Sequence, residues 1–390
     1  YKMGKRIKIK INYQYNEDWI GGSYYIQNLI HALNTLDKDQ KPILLINTSN
    51  ATALKDLKKI TSYPYLKSYH YIKLNILQRG INFICRRIFK KNIFNFLPNF
   101  NLAFPAGYNE YNQIEKQIFW IPDFQDKYLP HFFSEEELKS RDQAYIYIQK
   151  NAKHLVFSSE DARQDFNKFY ENASPKQYIL NFASYHSNDN LPSKEDVFRK
   201  FSITGEYFLC SNQFWIHKNH IVVLEAISLL KKEGINIHVV FTGKEKDYRN
   251  PNYFTELIEK VKELNIENNI KFLGFIDRED QIVLLKNCKS IIQPSLFEGW
   301  STVNEDAKAE NVFILAANLN VNKEQLQDYP NYRLFNPSDA NDLSNEIKKE
   351  NFITKKIDYT YNLKKFGLDF IKIINSINTN AKTIHHYHQL

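Results

Sequence analysis

The 390-residue chain has only three cysteines, Cys85, Cys210 and Cys288, far apart and odd in number. Neither a disulfide framework nor a metal-ligand spacing follows from them. Cys210 and Cys288 stand in apolar, strand-like surroundings and read as buried thiols, in keeping with a reducing cytoplasm. No apolar signal-peptide core marks the first residues. No run of about 18 uninterrupted apolar residues occurs, so no membrane-spanning helix is expected. There is no short-period repeat. The end of the chain, 378–390, is polar. Its His385, His386 and His388 suit either a metal site or, in the plainer reading, a flexible tail.

Hydrophobic residues make up 43% and charged residues 25%, the balance of a soluble globular protein, and the length suits two domains of ordinary size. Aromatic content is high, with 25 Tyr and 28 Phe, enough for large cores and for some aromatic binding surface. The net charge of +8 is compatible with nucleic acid, anionic lipid or phosphorylated ligands, and equally with a solvated lysine-rich surface. Composition does not choose among these.

Patterning is more informative. Residues 5–12 (KRIKIKIN) alternate basic and apolar side chains and predict a first strand. Gly21-Gly22-Ser23 follows, with Ser23 placed to cap a helix running to about residue 36. Strands are expected at 41–47, 102–105, 117–121 and 154–158. The pattern lapses into a polar linker at 183–196. It then restarts with strands at 207–210, 235–242, 270–273 and 290–293, separated by helices at 220–233, 253–264 and 278–287. A helix at 302–309 and one more strand at 314–316 follow, and a helical run at 361–377 ends the periodic part. Strand–helix alternation of this kind implies parallel sheets covered on both faces. The expected boundaries are a domain at 1–185 and a second at 186–360, with 361–377 packing back on the first.

Four segments carry chemistry. The polar loop 294–301 joins an apolar strand to a helix, where open α/β sheets bind ligands. Its backbone N–H groups can hold a diphosphate, and Glu298 can accept hydrogen bonds from sugar hydroxyls. A plain helix start with acids in its first turns has the same pattern. Lys218, at the start of another helix, is placed to neutralise a leaving phosphate, or is simply a surface lysine. Gly21-Gly22 lets backbone approach a phosphate closely, or is only a turn. Asp123, in FWIPDFQD, faces a cleft or caps a turn.

Glu298-Gly299-Trp300, followed by Asp306-Ala307, resembles the acidic signature of retaining GT-B glycosyltransferases of family 4: a Glu, then a second Glu eight residues on. Gly274 in FLGFID and Glu324-Gln325 fall where that family has similar residues. The resemblance implies the GT-B fold, two Rossmann-like domains with parallel sheets facing across a cleft. It also implies metal-independent, retaining transfer of a hexose from a UDP- or GDP-sugar to a glycan or lipid-linked acceptor, as in bacterial capsule or O-antigen assembly. By the same resemblance Glu298 contacts the donor sugar, and Gly22, Gly274, Gly299, Trp300, Ser301 and Thr302 belong to the donor site. Lys218 grips the phosphates. There are departures. Gln213 stands where an Arg is usual, which removes bidentate recognition. Asp306 replaces the second Glu that meets the ribose, with Glu305 beside it as a substitute. Pro122 stands where a His is usual, which leaves Asp123 to orient the acceptor. These departures keep open a non-catalytic sugar-nucleotide-binding or partner-binding homologue, and a sugar-nucleotide epimerase on the same fold. No cofactor, metal or nucleic-acid partner is expected.

Residues 73–98 add one further feature. On a helix, Leu77, Ile81, Ile84 and Ile88 form an apolar stripe, with Arg79, Arg86 and Lys90 opposite and Arg87 and Lys91 on the flank. Such a helix fits an anionic membrane surface, or an ordinary core-facing stripe. The expected location is the cytoplasm, with peripheral contact to the inner face of the cell membrane in the first case.

Overall fold

The computed structural model describes residues 6–16, 20–69, 76–89, 98–106 and 114–387. The first half contains strands β1 (Lys8–Asn12), β2 (Ile43–Asn47), β3 (Leu66–Ser68) and β4 (Leu102–Phe104), paired in parallel in the order β3-β2-β1-β4. Strands β5 (Ile118–Ile121), β6 (His154–Phe157) and β7 (Lys176–Ile179) follow, also parallel. A parallel bridge between Ala103 and Gln117, and a 2.8 Å bond from Ala106 N to Ile118 O, carry the sheet from β4 to β5. Alternation explains β1: Ile9 and Ile11 are fully buried on one face, while Lys10 on the other lays its ammonium 4.5 Å from the Tyr69 ring centroid. The central residues of β2, Leu44, Leu45 and Ile46, are all buried, as in a parallel strand covered on both sides.

The second half contains β8 (Phe208–Ser211), β9 (Val239–Thr242), β10 (Ile270–Phe272), β11 (Ile291–Gln293), β12 (Ile314–Ala317) and β13 (Tyr332–Phe335). They form one parallel sheet in the order β10-β9-β8-β11-β12-β13. The chain winds outward from β8, then crosses back to place β11 beside β8. This reversal opens a crevice at the carboxyl ends of β8 and β11. Each half is thus a Rossmann-like α/β domain.

The helix Thr360–Tyr387 returns to the first half. Phe366, Phe370 and Ile374 are buried in the same core as Tyr25 and Phe104, with the Phe104 and Phe370 rings 5.3 Å apart. Backbone meets backbone here: a Cβ on Gly367 would lie 2.6 Å from the Ala32 carbonyl oxygen of helix Ile20–Asn34. The helix runs on through residue 387, so the backbone of the expected loose tail is helical to that point.

Three expectations need correction. Ser23 does not cap: the helix already includes Ile20, and Ser23 Oγ instead accepts from Asn16 N at 3.0 Å, fastening the preceding loop. The strand expected at 235–242 is extended only from Val239. On the helix Ile76–Phe89, the apolar stripe does not face the core. Leu77, Ile81 and Ile84 are exposed, as are Ile76 and Phe83, while Asn82 and Cys85 are buried. Arg79 and Arg87 are also exposed; the Arg86 and Ile88 side chains, and Lys90 and Lys91, lie outside the described residues.

Two helical glycines separate propensity from packing. A Cβ on Gly80 meets nothing within 4 Å, whereas one on Gly367 clashes with backbone. Gly80→Ala is expected to stabilise by up to about 1 kcal/mol, the helix-propensity gain. Gly367→Ala is expected to destabilise by about 1–3 kcal/mol, the cost of overpacking. Denaturant unfolding of both variants checks the opposite signs.

Candidate active site

The two sheets face each other across a cleft of about 770 Å³. The two walls meet backbone to backbone at Gly299. A Cβ on Gly299 would stand 2.5 Å from the Pro122 carbonyl oxygen and 2.7 Å from Asp123 Cβ. Only glycine lets the loop after β11 reach the loop after β5 so closely. That approach sets Glu298, from the second half, near Asp123, from the first.

Glu298 is held from two sides. Its Oε1 accepts from Lys218 Nζ at 2.6 Å and from Gln293 Nε2 at 2.8 Å. Gln293 closes β11, is fully buried, and accepts from Asn212 Nδ2 at 2.7 Å. It also donates to Ser301 Oγ at 2.8 Å, and Ser301 caps the helix Thr302–Ala309 by accepting from Asn304 N at 3.2 Å. Gln325 Nε2 donates to the Ser301 carbonyl at 2.8 Å. The loop carrying Glu298 is therefore fixed before any ligand arrives, a requirement for preorganised chemistry.

Lys218 ends a short 3-10 turn, Ile216–Lys218, that Asn219 terminates in the left-handed conformation at φ 56°. Asn219 Nδ2 donates to the Pro294 carbonyl at 3.0 Å and the Pro337 carbonyl at 2.8 Å, tying the lysine's turn to the glutamate's loop. His217 beside it is buried. Burial, with Lys218 and Arg249 nearby, keeps its pKa well below the usual histidine value.

Gln213 lines the cleft over a second backbone contact: a Cβ on Gly243, at φ +147°, would fall 2.0 Å from the Asn212 carbonyl oxygen. Gly243 N donates to the Gly274 carbonyl at 2.9 Å. Gly274 itself, at φ +67°, is outside the cleft lining and acts by placing Gly243. Gly22, Gly299, Trp300, Ser301, Thr302 and Asp306 all line the cleft with Gln213, Lys218, Glu298 and Asp123. Trp300 also crosses to the first half, its Nε1 donating to the Phe182 carbonyl at 3.1 Å.

Asp123 closes a turn and also borders the cleft. Its Oδ1 accepts from Gln125 N at 3.0 Å. Burial raises its pKa; the Gln125 bond and Arg141 oppose this, and Asp126 and Glu298 add to it.

The second acid is paired with two basic side chains. Both Asp306 oxygens are committed, Oδ1 to His186 Nε2 at 2.8 Å and Oδ2 to Arg278 Nη2 at 2.8 Å. Burial alone would raise its pKa, but Arg278 and then His186 hold it well below the carboxylate range. Glu305 offers no substitute. It is buried away from the cleft, bonded to Lys308 Nζ at 2.8 Å, Gln325 Nε2 at 2.9 Å and the Tyr359 hydroxyl at 2.5 Å.

Sequence reasoning missed Gln293 and Arg278. The first had a signal, a lone amide closing an apolar strand. It also missed Glu324 as a bridge: its carboxylate accepts from Glu160 N at 2.8 Å and Asp161 N at 3.1 Å, capping a helix of the other half.

Residues 193–350 match the Glycosyl transferases group 1 family. The match contains Lys218, Gln213, Glu298 and Asp306, so this family's domain builds the second wall of the cleft. The chain is similar to Protein CapJ of Staphylococcus aureus, 29% identical over 262 residues, which are 60% of this chain and 62% of that one. It is also similar to the O-antigen chain mannosyltransferase RfbU of Salmonella typhimurium, 23% identical over 199 residues, 51% of each chain. The match thus spans less than two-thirds of these curated relatives. Among solved structures, sucrose-phosphate synthase from Thermosynechococcus elongatus superposes with a TM-score of 0.58 at 13% identity, covering 98% of this chain and 99% of that one. Anabaena HepE, in complex with UDP and glucose, gives 0.57 at 15% identity, covering 98% and 100%. At these identities the likeness establishes the fold, and the fold is GT-B.

The Asp306 cluster predicts a pH dependence. Burial lowers the His186 pKa, but Asp306 and Glu310 outweigh it and hold the ring above its usual 6.5. A raised folded pKa contributes stability that is fully present below about pH 6.5 and is lost as pH rises through the folded value. Denaturation of the native chain between pH 5 and 9 should show this alkaline loss, and His186→Asn should lack that step.

Proposed function

We propose that the chain is a glycosyltransferase that moves a hexose from a UDP- or GDP-sugar to a glycan or lipid-linked acceptor in surface-polysaccharide assembly. The observation that carries this reading is the pairing of Lys218 with Glu298 at 2.6 Å, in a fixed loop that Gly299 brings against Asp123. The name of RfbU, an O-antigen chain mannosyltransferase, and the group 1 match support the same class of reaction.

In the proposed reaction the bond from the anomeric carbon to the diphosphate oxygen breaks. The acceptor hydroxyl oxygen attacks on the face the diphosphate leaves, so configuration is retained. The hydroxyl proton passes to the departing phosphate. Lys218 meets the charge that builds on that phosphate, and Glu298 orients the sugar by accepting from its hydroxyls. Asp123 lies on the opposite wall, where it can orient the acceptor. No step is routed through a metal or cofactor. Removing a donor to a developing oxyanion typically costs about 10²–10³ in rate. Lys218→Ala and Glu298→Ala are each expected to lower sugar transfer by at least that factor, while unfolding midpoints stay close to native. Full transfer by Glu298→Ala would contradict the assignment. Failure of the native chain to transfer or hydrolyse any UDP- or GDP-sugar would favour a non-catalytic binder.

We also propose that helix Ile76–Phe89 rests on an anionic membrane, giving access to a lipid-linked acceptor. Among the described residues no helix is long and apolar enough to cross a membrane. This one, however, exposes Ile76, Leu77, Ile81, Phe83 and Ile84 with Arg79 and Arg87 close by. Apolar residues beside arginines suit the headgroup boundary of an anionic bilayer. Co-sedimentation with phosphatidylglycerol vesicles should exceed that with phosphatidylcholine vesicles. It should drop several-fold in Leu77→Asp/Ile81→Asp/Ile84→Asp and when Arg86, Arg87, Lys90 and Lys91 are neutralised together. Unchanged binding would overturn the membrane contact.

A further inference from the structure

The Asp306 cluster gathers three basic side chains around two buried or part-buried acids. Arg278, His186 and Lys286 share Asp306 and Glu310: Arg278 lies 2.8 Å from Asp306, His186 2.8 Å from Asp306 and 3.1 Å from Glu310, and Lys286 3.5 Å from Glu310. Glu279, the acid next to Arg278, is exposed to solvent and adds its negative charge to the guanidinium's surroundings. Lys218 and Glu298 form a separate pair across 2.6 Å. Of the basic side chains in this cluster, Arg278 is the one that borders the cleft.

The group this cluster offers to a ligand is the guanidinium. Both side chains border the cleft, but that of Asp306 is 7% exposed with each oxygen already accepting from a cation, whereas that of Arg278 is 28% exposed. The guanidinium is therefore the charged group of the cluster with the larger surface open to an incoming anion. Arg278 is also held in one orientation. Nη1 donates to Gln281 Oε1 at 2.8 Å, Nη2 meets Asp306, and the guanidinium carbon lies 5.0 Å from the centroid of the Tyr24 ring. Tyr24 belongs to helix Ile20–Asn34 of the first half, so Arg278 reaches across the domain boundary to the wall that carries Gly21 and Gly22. A fixed, partly exposed guanidinium on an internal cleft suits recognition of a phosphate.

We propose that Arg278 is the residue of this cluster that binds the nucleotide's diphosphate, supplying the positive charge that the neutral Gln213 does not bring to the same cleft. This rests on the sugar-nucleotide reading above. Asp306, His186 and Tyr24 are then positioning residues that aim the guanidinium.

The test is binding to the full chain by ligand-observed NMR and calorimetry, with UDP and GDP compared with uridine and guanosine. The expected result is that Arg278→Gln weakens the preferred nucleoside diphosphate at least tenfold, in line with a lost charge-assisted hydrogen bond. The nucleoside alone should change less than twofold. Arg278→Lys should fall between, and adding Gln213→Arg to Arg278→Gln should restore part of the diphosphate affinity. The proposal is overturned if Arg278→Gln binds the diphosphate as the native chain does, or if it loses nucleoside and diphosphate in equal proportion, the mark of a purely structural role. If the native chain binds neither UDP nor GDP, the sugar-nucleotide reading itself fails and takes this assignment with it.

Discussion

The contact of Gly299 with Pro122 and Asp123 is the constraint on which the cleft's geometry depends. Two loops from separate sheets meet there without a side chain between them, since a Cβ would fall 2.5 Å from a carbonyl oxygen. Because the loops touch, Glu298 and Asp123 stand on opposing walls of one narrow space. Trp300, bonded to Phe182, and Glu324, capping the helix that starts at Glu160, hold the halves in the same relation at two other points. A conformation set by backbone contact cannot be relaxed by a side-chain rotamer. The electrostatics of the cleft therefore follow from where the loops are, not from local flexibility.

Around that contact the charges divide into two groups. Lys218 and Glu298 form a balanced pair, supported by Gln293, Asn212 and Asn219, each hydrogen-bonded to a neighbour in the same network. Arg278, Asp306 and His186 form a second cluster at the linker between domains. A diphosphate sugar has anionic and neutral polar ends. One group suits transfer of charge onto a phosphate while a carboxylate holds hydroxyls; the other suits the phosphate itself. Under the proposed function, Glu298 holds the sugar end of such a donor, and Lys218 and Arg278 its diphosphate.

Much of this architecture is legible in the residues. The apolar runs of β8, β9 and β11, each followed by a polar loop and a helix, announce a parallel sheet, and Glu298-Gly299, singled out by its motif, falls in the cleft lining. What was not legible has physical reasons. Periodicity showed that Leu77, Ile81 and Ile84 share a helix face, but a stripe carries no information about which way it points. Two glycines before a helix suggested a turn capped by Ser23, yet glycines tolerate the helix's first turn and the serine bonds backward to the Asn16 amide. The fate of Asp306 depended on His186, 120 residues away in sequence, and on Arg278, which no local pattern links to it. Long-range ion pairs of this kind are set by topology, after the strands have been ordered.

The central claim is that a nucleotide sugar binds between the two walls built around Gly299. Hydrogen–deuterium exchange of the full chain with and without UDP or GDP tests it most directly. The account predicts slower exchange in three segments at once: residues 20–25, 211–219 and 296–303. Protection confined to one wall, or located away from the cleft, would contradict it.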